Sequence, residues 1–253
     1  MIDIRNLTKR YGDLTAVNDL SFQVLAGEVF ALLGPNGAGK TTTIRTLIGI
    51  LQPTDGKASI HGLLCGPQRP EIMRRVGYLP DEPTFYDYLR GREIIEFVGE
   101  MHGLDAETVA RRAGPLLQRL ELDDALGDYA VNFSHGMKKK LAFVAAVLHE
   151  PSLLILDEPT NGLDPYATRA LHGIIGEHAR AGGSVLLSTH LLDQAERLAS
   201  RVGILYRGQL AACGPLAELR RDAAAGGTLE EIFFRVTGDA APAAEDGGEV
   251  DPA

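Results

Sequence analysis

Val29-Phe-Ala-Leu-Leu-Gly34-Pro35-Asn36-Gly37-Ala38-Gly39-Lys40-Thr41-Thr42 is the stretch on which the fold turns. Its apolar start reads as a buried strand. A glycine-rich turn follows, and Ile44-Arg-Thr-Leu47-Ile48-Gly-Ile50-Leu51 then reads as a helix. Gly34, Gly39, Lys40 and Thr41 complete the spacing G-x-x-x-x-G-K-[ST], a phosphate-binding loop or Walker A motif. Glycines let backbone N–H groups turn inward around phosphate oxygens, because no Cβ intervenes. The helix that follows aims its positive dipole end at the same point. Lys40 is placed to reach the outer phosphates and the Thr41 hydroxyl to hold Mg²⁺.

Outward from this loop, composition narrows the class. The chain has 253 residues, of which 45% are hydrophobic, enough for one large domain or two small ones with a substantial core. Its net charge is −9 and its pI about 5.3, which argues against nucleic acid, whose phosphates need a basic face. Cys65 and Cys213 stand outside any CxxC or Cys/His cluster and read as reduced thiols. The longest apolar run, Leu141 to Leu148, is far short of the ~20 residues that span a bilayer, and Met1-Ile-Asp-Ile-Arg lacks a signal-peptide layout. The expectation is a soluble, cytoplasmic chain that meets a membrane only through a partner.

Before the loop, Ile2 to about Val24 reads as β structure, with Leu20, Phe22 and Val24 alternating. Tyr11 is open to two readings, a ring that stacks on a base or a turn residue packed on the sheet. After the loop come a turn at Gln52–Gly56, a strand at Lys57–Gly62, a short helix from Pro70 and a strand at Val76–Pro80. Periodic helices dominate from about Phe85 to Glu150, an insertion within an α/β domain. Gly114-Pro115 predicts a break or kink.

Ser134 is a suitable N-cap before Lys138-Lys139-Lys140 and a helix over Leu141–His149. Cations are unfavourable at a helix N-terminus. Either a bound anion offsets the run, or the side chains reach out into solvent. Leu153 to Leu156 is a run of aliphatics, as in a strand covered on both faces, and it ends in Asp157-Glu158. Ligands collect at such strand ends, and an Asp there is the usual second anchor for Mg²⁺ in P-loop enzymes. Asn161 to Pro165 is a turn capped by Asp164. Ser184–His190 is a further buried strand, whose His190 is either structural or on the phosphate side. A helix, two hairpin strands and a final segment at Thr228–Val236 follow. The acidic tail, 238–253, reads as disordered.

A strand–P-loop–helix, a Ser-x-Gly helix start, an Asp-Glu strand end and a His strand end, in that order, resemble the ATPase subunit of ABC transporters. The resemblance runs to about Gly238, which gives an ATPase domain over 1–237 with a helical subdomain at about 85–150. Phe133-Ser-His-Gly-Met-Lys, Gly77-Tyr-Leu-Pro-Asp-Glu-Pro and Leu229-Glu-Glu-Ile-Phe are most similar to the separate-chain ATPases of bacterial exporters. The fold this implies is α/β: a P-loop NTPase with a RecA-like mixed or parallel sheet core, an N-terminal antiparallel β subdomain and an inserted α-helical subdomain. The resemblance implies ATP and Mg²⁺ as cofactors and ATP hydrolysis as the activity. It implies that Tyr11 stacks on adenine, that Gly34 to Thr42 hold the phosphates, that Thr41, Asp81 and Asp157 serve the metal, that Glu158 is the general base, and that His190 touches the γ-phosphate. Asp164 lies in the loop that crosses to a second subunit, and Ser134 and Gly136 bind the γ-phosphate of that subunit. The implied partners are a polytopic membrane permease and a second ATPase subunit, in a homodimer or heterodimer; the acidic and aromatic cluster of Asp81, Glu82, Phe85, Tyr86 and Tyr88, on a loop joining sheet to helices, is where a permease helix is expected to dock.

Two residues depart from the family pattern. His135 and Met137 stand where the signature has Gly and Gln, and the expectation is that His, which tolerates positive φ, preserves the loop. Asp81 stands for the usual loop Gln and adds negative charge beside the γ-phosphate. The alternative function is a soluble ABC-type ATPase of translation or repair without a permease. Such proteins usually carry paired domains or a long coiled coil, which this chain lacks. A P-loop kinase would not need Ser134 and Gly136, and an import ATPase more often keeps the loop Gln.

Overall fold

The computed structural model describes residues 1–222 and 227–238. The expectation for the acidic tail therefore lies outside the described residues, apart from Gly238, which caps the last helix with φ 72°. The chain runs β1 (Ile2–Tyr11), β2 (Leu14–Val24), β3 (Val29–Leu33), α1 (Lys40–Leu47), β4 (Asp55–Ile60), β5 (Leu63–Leu64), α2 (Arg69–Met73) and β6 (Val76–Leu79). Then come α3 (Gly91–Met101), α4 (Ala106–Arg119) and α5 (His135–Val147). The remainder is β7 (Leu153–Asp157), α6 (Pro165–Arg180), β8 (Ser184–Thr189), α7 (Leu192–Leu198), β9 (Arg201–Tyr206), β10 (Gln209–Pro215), α8 (Leu216–Asp222) and α9 (Leu229–Thr237).

Among the described residues the strands form two sheets, β2-β1-β4-β5, which is antiparallel, and β10-β9-β3-β8-β7-β6. In the second, β9, β3, β8, β7 and β6 are parallel and β10 closes the edge antiparallel. The period-2 rule explains why its central strands read as unbroken apolar runs. Phe30, Leu32, Ile155 and Leu186 face one core with Ile44 and Leu47 of α1 and the inner residues of β1 and β2. Ala31, Leu33, Leu154, Leu156, Val185 and Leu187 face the other, with Phe143 and Val144 of α5, Leu171 and Ile175 of α6 and Ala195 of α7. Phe22 and Phe30 stack at 5.1 Å, which fastens the antiparallel sheet to the central one. The parallel order puts the carboxyl ends of β3, β6, β7 and β8 along one rim of the sheet.

The helices α3, α4 and α5 all lie between β6 and β7 in sequence. One expectation about this segment is corrected and another is narrowed. The helix carrying Leu141 starts at His135, because Ser134 caps it by accepting from the Met137 N–H at 3.2 Å. At Pro115 there is no break: α4 runs through it to Arg119. The carbonyl that loses its partner belongs to Arg111, on the exposed side of α4 with Gly114 and Pro115, where water can reach it. The Asp105 carboxylate, accepting from the Thr108 N–H at 2.8 Å, secures the start of this helix.

Candidate active site

The phosphate loop hangs between the end of β3 and the start of α1. Gly34 cannot be anything larger, since a Cβ there would sit 2.3 Å from the Leu205 carbonyl oxygen of the neighbouring strand β9. Gly39, at φ 108°, is the N-cap of α1 and brings no side chain of its own to the cap, so the first N–H groups of the helix stay open. Lys40 is almost wholly buried. Its Nζ donates to the Gly34 carbonyl at 2.7 Å and to the Pro35 carbonyl at 3.3 Å. It also stands 3.3 Å from Glu158 Oε1.

A cleft of about 320 Å³ opens over the loop, lined by Tyr11, Leu14, Ala16, Pro35 to Thr42, Asp81 and Glu158. Tyr11 is 44% exposed and has Lys9 Nζ over its ring at 5.1 Å, so the ring face is a feature of the cleft mouth and not of the sheet core.

Asp157 ends β7 and Glu158 follows it; both are buried, but their side chains take different directions. Asp157 is buried, and β7–β8 register sets it opposite Ser188, whose hydroxyl donates to its Oδ1. Burial pushes the Asp157 carboxyl above its ordinary range, while hydrogen bonds from Ser188 and Thr41 pull it back. Glu158 takes φ 46°, which turns its side chain out of the strand, and its N–H bonds the Ser188 carbonyl at 3.1 Å. Its Oε2 lies 3.0 Å from His190 Nδ1. The carboxylate is thus held between Lys40 and His190.

Mg²⁺ needs hard oxygen donors and commonly takes one or two from protein and the rest from phosphate and water. Asp157 and Thr41 meet that description, and a divalent cation would supply a positive partner for the buried Asp157 carboxylate. Among the described residues no three His, Cys, Asp or Glu side chains converge into a ready metal cage. Asp81 Oδ1 is already bound, by Lys139 Nζ at 3.1 Å and Asn161 Nδ2 at 3.2 Å.

The structure brings Tyr11, the loop residues, Asp81, Asp157, Glu158 and His190 to one rim. Ser134 and Gly136 are elsewhere, since neither lines the cleft. They open α5 beside the turn after β7: a Cβ on Gly136 would lie 3.0 Å from the Gly162 carbonyl oxygen, and one on Gly162 would lie 2.5 Å from the His135 ring. His135 itself is helical, so positive φ is not what the position demands. The lysine run is also corrected. For two of the three lysines the partner is a protein carboxylate and not solvent: Lys139 is fully buried on Asp81, and Lys140 stands 3.6 Å from Asp164. Asp164 caps α6, accepting from the Ala167 N–H at 2.8 Å. Sequence reasoning missed Ser188 and Lys139. The signals were a polar residue at a strand's carboxyl end and a cation where a helix disfavours one.

Residues 17–161 match the ABC transporter family. The chain is 35% identical over 242 residues to the ABC-type transporter ATP-binding protein EcsA of Bacillus subtilis, covering 94% of this chain and 96% of that one. It is 34% identical to the linearmycin resistance ATP-binding protein LnrL of the same organism, covering 87% and 70%. Among solved structures, an ATP-binding subunit of an ABC transporter superposes with TM-score 0.88 at 36% identity, covering 94% of this chain and 99% of that chain. The fold alone is shared with a dimeric post-hydrolysis cassette, MJ0796 bound to ADP and Pi, with TM-score 0.78 at 21% identity and coverage of 85% and 99%. No helix among the described residues is long and apolar enough to cross a membrane. With the Walker A loop, the Asp157-Glu158 strand end and the mixed sheet in the places just described, the chain belongs to the ABC transporter family as one of its ATP-binding subunits, the type that powers transport.

Proposed function

We propose that this chain hydrolyses ATP as half of a dimer and so drives export through a separate membrane permease, on whose cytoplasmic face it sits. The observation that carries the dimer is the separation of two helix starts. One, at Gly39, opens into the cleft; the other, at Ser134 and Gly136, does not line it. Each is suited to an anion. Two subunits head to tail let each Ser134–Gly136 start face its neighbour's ATP, and the dimeric arrangement of the MJ0796 cassette supports that reading. Closure is then a population shift driven by contacts that exist only with ATP in place. Glu158 acts as general base on the attacking water, with His190 orienting it. Lys40, Thr41 and Asp157 hold the phosphates and metal, Asp81 reaches the metal only through its second oxygen, and Tyr11 supports the adenine. When bound, Mg²⁺ supplies charge neutralisation at the outer phosphates. The test is the dependence of ATPase rate on protein concentration. The expected specific activity rises with concentration and then levels off; a flat dependence together with a monomer in solution would remove the dimer.

Export is supported by the linearmycin resistance relative and by the exporter-like motifs. For the permease, the support is an apolar groove of about 440 Å³ lined by Thr84, Phe85, Tyr86, Leu89, Ile94, Phe97 and Val98. Tyr86 is 78% exposed and Tyr88 86%, unusual for rings on a polar surface. Asp81 takes no part in this groove. Phe85→Ala combined with Tyr86→Ala is expected to leave basal ATPase in place and to abolish its stimulation by the permease. Transport that stayed coupled in that variant would take the docking site elsewhere.

A further inference from the structure

Lys139 is a fully buried lysine in the second turn of α5, where desolvation opposes its charge. Burial pulls its pKa below the ordinary lysine value, and Asp81, then Glu158 and Asp157, push it back up. The geometry shows where the compensation comes from. Nζ donates to the Asp81 carbonyl at 2.8 Å and pairs with Asp81 Oδ1 at 3.1 Å. Asn161, in the turn after β7, donates to the same oxygen at 3.2 Å. Two segments distant from Asp81 in sequence therefore converge on its carboxylate, and Asp81 lines the phosphate cleft with Lys40, Thr41 and Glu158.

A triphosphate must enter this place against acids. Asp81, Asp157 and Glu158 stand close enough for Asp157 to feel the other two. Lys40 answers Glu158, and Lys139 answers Asp81. Lys40 belongs with the β- and γ-phosphates, so the acids around it face the end of the nucleotide that ATP has and ADP lacks.

We propose that Lys139 is a positioning residue that sets nucleotide specificity: by holding Asp81 and cancelling its charge, it lets the cleft accept a γ-phosphate. The proposal rests on the reading of the cleft as an ATP site. Its mark is selectivity, because a lysine that only stabilised the fold would affect ATP and ADP alike.

The experiment is isothermal titration with ATP and with ADP, both in EDTA so that no metal contributes, on the full chain. Lys139→Met keeps an unbranched apolar stem in the buried channel. It is expected to weaken ATP by about tenfold relative to ADP, as one uncompensated charge at several ångströms gives in a site of intermediate dielectric. Adding Asp81→Asn to that variant is expected to bring the ATP-to-ADP ratio back to the wild-type value or above it. Equal losses for the two nucleotides, no loss for either, or a ratio that Asp81→Asn does not restore would each overturn the proposal. Should Lys139→Met fail to fold, Asp81→Asn alone decides: with Lys139 left as an unanswered cation, ATP must gain over ADP by several-fold, and an unmoved ratio overturns the proposal. A wild-type chain that bound neither nucleotide would sink the reading of the cleft and this proposal with it, whereas one that bound both would leave that reading standing whatever the variants do.

Discussion

Glu158→Gln is expected to lower ATP turnover by about 10²- to 10⁴-fold, the usual contribution of a positioned general base, while ATP still binds. The amide keeps the size and the out-turned backbone at φ 46°, so the loop need not move. What it loses is the ability to take a proton. It also loses the charge that pairs with Lys40 at 3.3 Å and faces His190 at 3.0 Å, which leaves Lys40 freer to serve the phosphates. Binding without turnover leaves ATP in place between subunits, and the stalled species is expected to run as a dimer in size-exclusion chromatography with ATP and Mg²⁺ and as a monomer without. Phosphate release measured in the steady state checks the first half. A variant that turned over at the wild-type rate would take Glu158 out of the chemistry, and one that stayed monomeric with ATP bound would dismiss the two-subunit site.

Lys40→Ala acts one stage earlier. A charge-assisted hydrogen bond contributes about 1.5–3 kcal/mol, so ATP affinity is expected to fall about 10- to 100-fold, with turnover undetectable at ATP concentrations that saturate the wild type. The same substitution strips a donor from the Gly34 and Pro35 carbonyls and leaves Glu158 Oε1 without its cation. A lower melting temperature in the absence of nucleotide therefore accompanies the loss of binding. Equilibrium titration and thermal melting separate the two effects. Unchanged ATP affinity would mean that Lys40 stays folded back on its own loop and never reaches a phosphate.

What the sequence disclosed and what it hid divide along physical lines. The phosphate loop was legible because its chemistry is local: Gly34, Gly39, Lys40 and Thr41 lie within eight consecutive positions, and the strand and helix on either side are short-range patterns. The strand carrying Asp157 was legible because aliphatics on both faces leave few alternatives to a covered parallel strand. Placing Asp157 and Glu158 beside the loop needed one further rule, that parallel strands share a ligand-binding edge. The burial of Lys139 stays hidden because its partner is 58 residues away at Asp81, and no local rule reveals that an acid from another segment will meet a buried Nζ. At Pro115 the break did not follow, for the converse reason. A local rule forecasts a break, yet the cost of one missing hydrogen bond is small where the free carbonyl faces water and α3 and α5 hold the rest of the helix. Ser188 became visible only when strand register set it across from Asp157.

The turn after β7 wedges Gly162 against the His135 ring, while four residues before Gly162 the Glu158 side chain flanks Lys40, and Asn161 between them reaches Asp81. The carboxylate proposed as general base and the region this chain would lend to its neighbour are therefore joined by a single short span. In a paired machine such a linkage works as an escapement: spending the fuel on one side jogs the part that grips the fuel on the other, and the two sides cannot keep independent time.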